Sequence, residues 1–89
     1  MDFEWDEAKR RSNIEKHGID FLRVRQLFDG RPVFSQPSPR DGENRFVTIG
    51  SIGGAIIAAI WVERDGVTRL ISARKARDEE KRKYRSVLG

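Results

Sequence analysis

Eighty-nine residues are enough for one domain and a modest core, and a chain of this size is only marginally stable on its own. With no cysteine, a disulfide scaffold, a thiolate nucleophile and a Cys-ligated zinc site are excluded, and a single His leaves no metal-ligand spacing, so neither metal nor cofactor is expected. Net charge +4 with a sequence pI near 10.0 favours a polyanionic partner, and eight large aromatics (five Phe, two Trp, one Tyr) argue against disorder.

Met1 is followed at once by Asp2, Glu4 and Asp6, which is unlike a signal peptide. The longest apolar run, Ala55 to Val62, is too short to span a bilayer. A cytoplasmic protein of one domain, residues 1–89, with no membrane partner, is expected.

In chain order, Phe3-Glu4-Trp5 alternates as a short edge strand. Asp6 is an N-cap, residues 7–17 lack Pro and Gly and read as a helix, and Gly18 ends it. The helix stripe through Trp5, Lys9, Asn13 and His17 is not apolar, so this helix should cover little core. Asp20 caps a second, short helix, whose Phe21, Val24, Leu27 and Phe28 form an apolar face while Arg23, Arg25 and Gln26 point outward.

Residues 29–44, with three prolines, read as an irregular stretch in which only Val33-Phe34 pairs briefly. Strands follow over residues 45–51, 55–64 and 67–74, with turns at Gly53-Gly54 and Asp65-Gly66, and the middle strand is central because both its faces are apolar. From Ala76 to about Val87 the chain is helical, with Ala76, Glu80 and Tyr84 on one face.

Placing the hairpin turn at Asp65-Gly66 sets Val62 opposite Arg69, Ile60 opposite Ile71 and Ala58 opposite Ala73, an aliphatic face expected under the helices. The other face sets Glu63 opposite Thr68, Trp61 opposite Leu70 and Ile57 opposite Arg74, and is expected to be the open, working surface.

Chemistry concentrates where the last strand runs into cations. Arg74, Lys75 and Arg77 suit a phosphodiester, Arg by paired hydrogen bonds and Lys as a mobile charge. The plainer alternative is a solvated strand end with Arg74 paired to Glu80. Glu63 and Arg64 offer a general base and an oxyanion partner, or simply a charged hairpin end. Tyr84 either stacks on a base and donates to a phosphate, or packs with its hydroxyl at the rim. His17 is either a general acid or a helix C-terminal cap. Lys9 and Lys16 are surface cations or part of a phosphate-binding rim.

Two stretches resemble a known family. Phe3-Glu4-Trp5-Asp6-Glu7-Ala8-Lys9, Asn13 and Lys16-His17-Gly18-Ile19-Asp20-Phe21 are similar to the opening signature of BrnT toxins. Glu63-Arg64-Asp65-Gly66, the run from Arg69 to Ala76, and Glu80 with Tyr84 resemble the rest of that pattern. The resemblance implies an α+β, RelE-like fold with two N-terminal helices, an antiparallel sheet of three to four strands and a C-terminal helix. It implies the endoribonuclease toxin of a type II toxin–antitoxin pair, cleaving RNA to inhibit translation and growth. The implied partner is a BrnA-like ribbon-helix-helix antitoxin, in a heterotetramer that binds operator DNA and represses its own operon.

The resemblance places Arg64, Arg74, Lys75 and Tyr84, and Trp5, Lys9 and His17, in its functional stretches; with the residue reading above, Glu63, Arg64, Arg74, Lys75 and Tyr84 are expected to be catalytic, and Trp5, Lys9, His17, Trp61 and Arg77 to bind RNA. Relatives often carry His or Tyr at the place of Trp61, so any proton donated there has no donor in this chain. The mechanism expected is metal-independent, with the 2′-hydroxyl attacking the adjacent phosphate. The rivals are a non-catalytic nucleic-acid-binding module and a structural partner that merely holds the antitoxin, which is expected on the open face and over Trp61.

Overall fold

Local signals set the ends of nearly every element. A computed structural model describes residues 1–38 and 43–88. The elements are β1 (Asp2–Glu4), α1 (Glu7–His17), α2 (Phe21–Val24) continued by a 3₁₀ turn (Arg25–Phe28), β2 (Phe34–Pro37), β3 (Arg45–Ile52), β4 (Ala55–Arg64), β5 (Val67–Lys75) and α3 (Asp78–Leu88). Asp6 caps α1, accepting from the backbone N–H groups of Ala8 and Lys9, and Gly18 closes it in the left-handed conformation (φ 68°). Asp20 caps α2 through the Leu22 N–H.

The strands form one five-stranded sheet in the order β1-β5-β4-β3-β2, with β4 at its centre. This exceeds the three to four antiparallel strands expected. β1 pairs parallel with β5 over Asp2–Glu4, and β2 pairs antiparallel with β3 over Phe34–Pro37. Both additions are edge strands, and an edge position lets β2 include Pro37 despite its missing N–H. The second N-terminal helix is a single α turn running into the 3₁₀ turn, and α3 begins at Asp78 rather than Ala76. Ala76 instead prolongs the β5–β4 pairing, its N–H donating to Ile56 O at 2.9 Å.

The hairpin register holds from the turn through Trp61↔Leu70 and then shifts by one residue between Ile60 and Trp61. Beyond this β-bulge Ile60 faces Ser72, Ala58 faces Arg74 and Ile57 faces Lys75. Because side chains alternate across a sheet, one extra residue moves Arg74 to the face opposite Trp61. What fixes the bulge lies outside the hairpin. β1 covers β5 only as far as Arg69, and past that point α1 lies along the β5 edge. Asn13, 5% exposed, accepts there from the Ala73 N–H (3.0 Å) and the Ser72 hydroxyl (3.4 Å), and donates to Ile19 O (2.8 Å). Otherwise apolar-poor, α1 is therefore fastened to the sheet by one buried amide.

The two faces are the reverse of those expected. α1, α2 and the 3₁₀ turn bury the face carrying Ile57, Ala59, Trp61, Leu70 and Ala73 against Phe21, Val24 and Leu27. α3 covers part of the other face, where Val47, Ile49, Ala58 and Ala76 pack with Ile60 and Tyr84. Trp61 lies edge-on to Phe28 and stacked on Phe46, with ring centroids at 5.5 and 4.7 Å. Its indole N–H donates to Thr48 Oγ1 (2.8 Å), which also shares a hydrogen with Ser35 Oγ (2.8 Å). A face that mixes an aromatic with hydroxyls looks open in the sequence. Here the polar groups satisfy one another, and so the face can be core.

Gly50 permits the close approach of the 3₁₀ turn. A Cβ there would lie 2.7 Å from Leu27 Cδ2 and 2.9 Å from Val33 Cγ1. Gly50→Ala is expected to cost about 1–3 kcal/mol through overpacking, read as a fall of roughly 4–8 °C in Tm per kcal/mol. An unchanged Tm would show that this contact is loose.

Candidate nucleic-acid interface

Three segments converge where β4 begins and β5 ends: the last turn of α1, the end of β5 and the link into α3. Lys16, His17, Arg74, Lys75 and Arg77 line a hollow of about 430 Å³ there. Lys16 and His17 sit in the last turn of α1, where cations complement the helix dipole. Arg74 and Arg77 also line a second hollow, of about 300 Å³, on the sheet face beside Ser38, Arg45 and Ile60. Arg45 brings to it an Nε that is buried and has no hydrogen-bond partner among the described residues. Lys75 lines a further hollow with Lys81 and Arg85 of α3, so the basic surface continues around this end of the molecule.

Glu80 is the carboxylate that organises the cluster. It is 7% exposed and receives Arg74 through two hydrogen bonds, Nη1 to Oε1 (2.7 Å) and Nη2 to Oε2 (3.1 Å). The Arg77 backbone N–H donates to the same Oε1 at 2.8 Å, so Glu80 reaches back to the start of α3 as the acidic half of a capping box does. A guanidinium has five N–H donors, so Arg74 keeps its Nε–H and one Nη2–H for another acceptor. Among the described residues Lys16, Lys75 and Arg77 form no salt bridge. The result is one guanidinium held in a fixed pose, surrounded by unpaired cations. Such a place grips a phosphodiester and stabilises charge building on its oxygens.

Residues 5–80 match the family described as ribonuclease toxin, BrnT, of type II toxin–antitoxin systems. The chain belongs to the BrnT family. That membership makes it a type II ribonuclease toxin, with RNA as its target and an antitoxin as its partner. No curated protein sequence matches it. No helix among the described residues is long and apolar enough to cross a membrane.

This BrnT chain brings together only some of the residues singled out in its sequence. His17, Arg74, Lys75 and Arg77 share one hollow, and Lys16 completes it. Glu63 and Arg64 do not join them. Arg64 lies six residues along β4 from Ala58, the partner of Arg74, which is roughly 20 Å of strand. There Arg64 pairs with Glu43 at 2.7 Å, and Glu63 is exposed.

Tyr84 packs on the α3-covered face and lines a separate hollow with Asp29, Arg31, Pro32 and Ser51. Trp5 is edge-on to Phe21, with centroids 6.2 Å apart, in the helix-covered core. Lys9 is exposed on α1, eight residues before His17, a rise of about 12 Å. Trp61 is half-buried, packed beside Phe28 of the 3₁₀ turn and outside the hollow that holds Arg74. Sequence reasoning missed Arg45 as a wall of the site, and it held the Arg74–Glu80 pair only as the plainer alternative to a phosphate site. Glu80 had a further signal, since a Glu at the third position of a helix is where a capping box places it.

The hydrogen bonds from Arg74 hold the Glu80 carboxyl below the usual glutamate range, against the opposing effect of burial. A carboxyl with a depressed folded-state pKa adds stability that is complete above its unfolded value and is lost as pH falls through the folded one. The expected result is a Tm that declines below about pH 4.5, with a shallower decline in Glu80→Gln. Superimposable acid limbs for wild type and variant would show that Glu80 contributes nothing there.

Proposed function

We propose that this chain is a metal-independent endoribonuclease whose reacting phosphate lies in the hollow between the α1 C-terminus and the β5 end. The supporting observation is the meeting of Arg74, fixed by Glu80, with Lys16, His17, Lys75 and Arg77 in one concave place. In this reading Arg74 and Arg77 hold the phosphate oxygens and offset the charge of the pentavalent transition state. His17 takes the proton of the ribose 2′-hydroxyl as its oxygen bonds to phosphorus. The P–O5′ bond breaks, and Lys75 gives a proton to the leaving 5′ oxygen. The products are a 2′,3′-cyclic phosphate and a 5′-hydroxyl.

Histidine is the side chain suited to proton exchange near neutral pH. Glu63, Arg64 and Tyr84 have no reacting role in this scheme: Arg64 pairs with Glu43, Glu63 is exposed beside it at the far end of β4, and Tyr84 lines a separate hollow. The lining supports the metal-independent reading: side chains that carry positive charge repel a divalent cation, and Glu80 is already engaged.

In the cell the toxin would be neutralised by a ribbon-helix-helix antitoxin, in a heterotetramer that represses its own operon through operator DNA. An acidic antitoxin segment laid over Lys75 and Arg77 would block the phosphate site by charge complementarity.

The test is primer extension on RNA from cells expressing the chain alone, and on purified RNA with EDTA present. Cleavage leaving a cyclic phosphate and a 5′-hydroxyl is expected in both. Growth arrest without cleavage, or cleavage abolished by EDTA, overturns the mechanism. A specific observation favours a second reading, a non-catalytic nucleic-acid binder: Arg74 is already paired. That reading predicts salt-dependent RNA affinity with no cleavage.

A further inference from the structure

The phosphate hollow shares two of its walls with a second, differently built cavity. His17 and Lys75 line both. The neighbour holds about 200 Å³ and runs between the turn after α1 and the β3–β4 turn. Its lining includes the apolar side chains of Ile19 and Ile57, and three nitrogen-bearing side chains, His17, Arg23 and Lys75. Arg23 was expected only to point outward into solvent. In the fold its guanidinium reaches the β3–β4 turn, so that a Cβ on Gly53 would lie 2.9 Å from Nη2. Neither Arg23 nor Lys75 forms a salt bridge among the described residues.

A cationic hollow joined by a common wall to a small cavity of mixed lining, apolar side chains beside hydrogen-bond donors, has the outline of a nucleotide. The phosphate would occupy the first, and a planar ring the second. Sites for drug-sized ligands run from roughly 300 Å³ upward, so this cavity has room for one ring system and not for two stacked bases. The charged groups in its lining also select among bases. Arg and Lys only donate hydrogen bonds, so the fitting base edge presents acceptors. Guanine offers two adjacent acceptors, O6 and N7, which match the guanidinium fork. Adenine puts a donor amine beside N7, and cytosine presents its amine.

We infer that this cavity is a base subsite for guanine next to the reacting phosphate, with Arg23 as its specificity-determining residue. The inference rests on the ribonuclease reading for the identity of the ligand as a nucleotide. Arg23 is exposed on α2 and outside the core, so replacing it leaves the fold intact.

The experiment titrates the full chain with inorganic phosphate and with the 3′- and 5′-monophosphates of all four nucleosides, following backbone amide shifts by NMR. Cleavage sites on RNA are mapped in parallel. The expected result is roughly tenfold or tighter binding of a guanosine monophosphate over the other three, with shifts at Gly18 and Gly53 that phosphate alone does not produce. The 3′ and 5′ arms tell whether the base precedes or follows the scissile bond.

Arg23→Ala and Arg23→Lys should both erase the preference, because a lysine cannot supply the fork. Equal binding of all four nucleotides, shifts confined to Lys16 and Arg77, or a guanine preference that survives Arg23→Ala overturns the subsite. Cleavage of RNA with no guanine bias beside the cut overturns it too, while leaving the ribonuclease reading intact. Guanine binding in this cavity with no cleavage of RNA keeps the subsite and removes the ribonuclease.

Discussion

Replacing Arg74 by alanine is expected to lower RNA cleavage about 10²–10³-fold, the usual cost of losing one donor aimed at developing negative charge. Arg74 is the cation whose position is fixed from two directions, by the strand that carries it and by the paired hydrogen bonds to Glu80. Its neighbours Lys75 and Arg77 are exposed and can swing, so they cannot restore that geometry. Arg74→Lys should recover little, since an ammonium offers a point charge where the guanidinium offers a planar fork. Arg64→Ala, at the far end of β4, is the matched control and should leave cleavage within about twofold, since an exposed ion pair contributes little to stability. Equal losses in both variants would remove the reacting centre from the β5 end. Because Arg74→Ala also leaves Glu80 buried without its guanidinium, the Tm of each variant has to be measured beside the rate, and single-turnover cleavage below the lower Tm separates the two effects.

Asn13→Ala should be the most damaging change on α1, at about 2–3 kcal/mol, which a domain of this size shows as a Tm roughly 10–20 °C lower. The loss comes from groups left behind. The Ala73 N–H and Ile19 O would both lose their partner in a place where Asn13 itself is 5% exposed. Asn13→Asp keeps an acceptor for Ala73 but loses the donor to Ile19 O and buries a charge, so it should be no better than alanine. The same amide holds the β5 edge where the register shifts, and so loosening it should also disturb Arg74. Cleavage is therefore expected to fall along with Tm, with amide exchange at Ala73 accelerated. A Tm within about 2 °C of wild type would falsify the view that this side chain fastens α1 to the sheet.

The site was partly legible because its parts are adjacent in sequence. Arg74, Lys75 and Arg77 stand within four positions, and the strand-to-helix passage around them is marked by the end of the β-branched run. His17 joins them through a long-range contact that no spacing announces, made when α1 lies along the β5 edge. In the expected register Glu63 shares a face with Arg74, but neither it nor Arg64 can reach Arg74, because a ten-residue strand separates its own ends. Arg23 has an outward helical position in any periodicity argument. Only the packing of α2 against the β3–β4 turn brings its guanidinium to Gly53.

What the sequence determined by itself is everything governed by neighbours along the chain. Asp6, Gly18 and Asp20 set helix ends because capping is satisfied within a few residues. Asp65-Gly66 set the hairpin and its register as far as Trp61, since that turn accepts positive φ at both positions (51° and 78°). The tertiary structure decided what depends on partners distant in sequence: β1 beside β5, the bulge at Ile71, and the burial of the Trp61 face. The physical reason is the two-residue period of a strand, which makes face assignment all-or-none beyond any single inserted residue. Asn13, 60 positions from Ala73, holds β5 at that shift, and its amide put Arg74 where Glu80 could hold it.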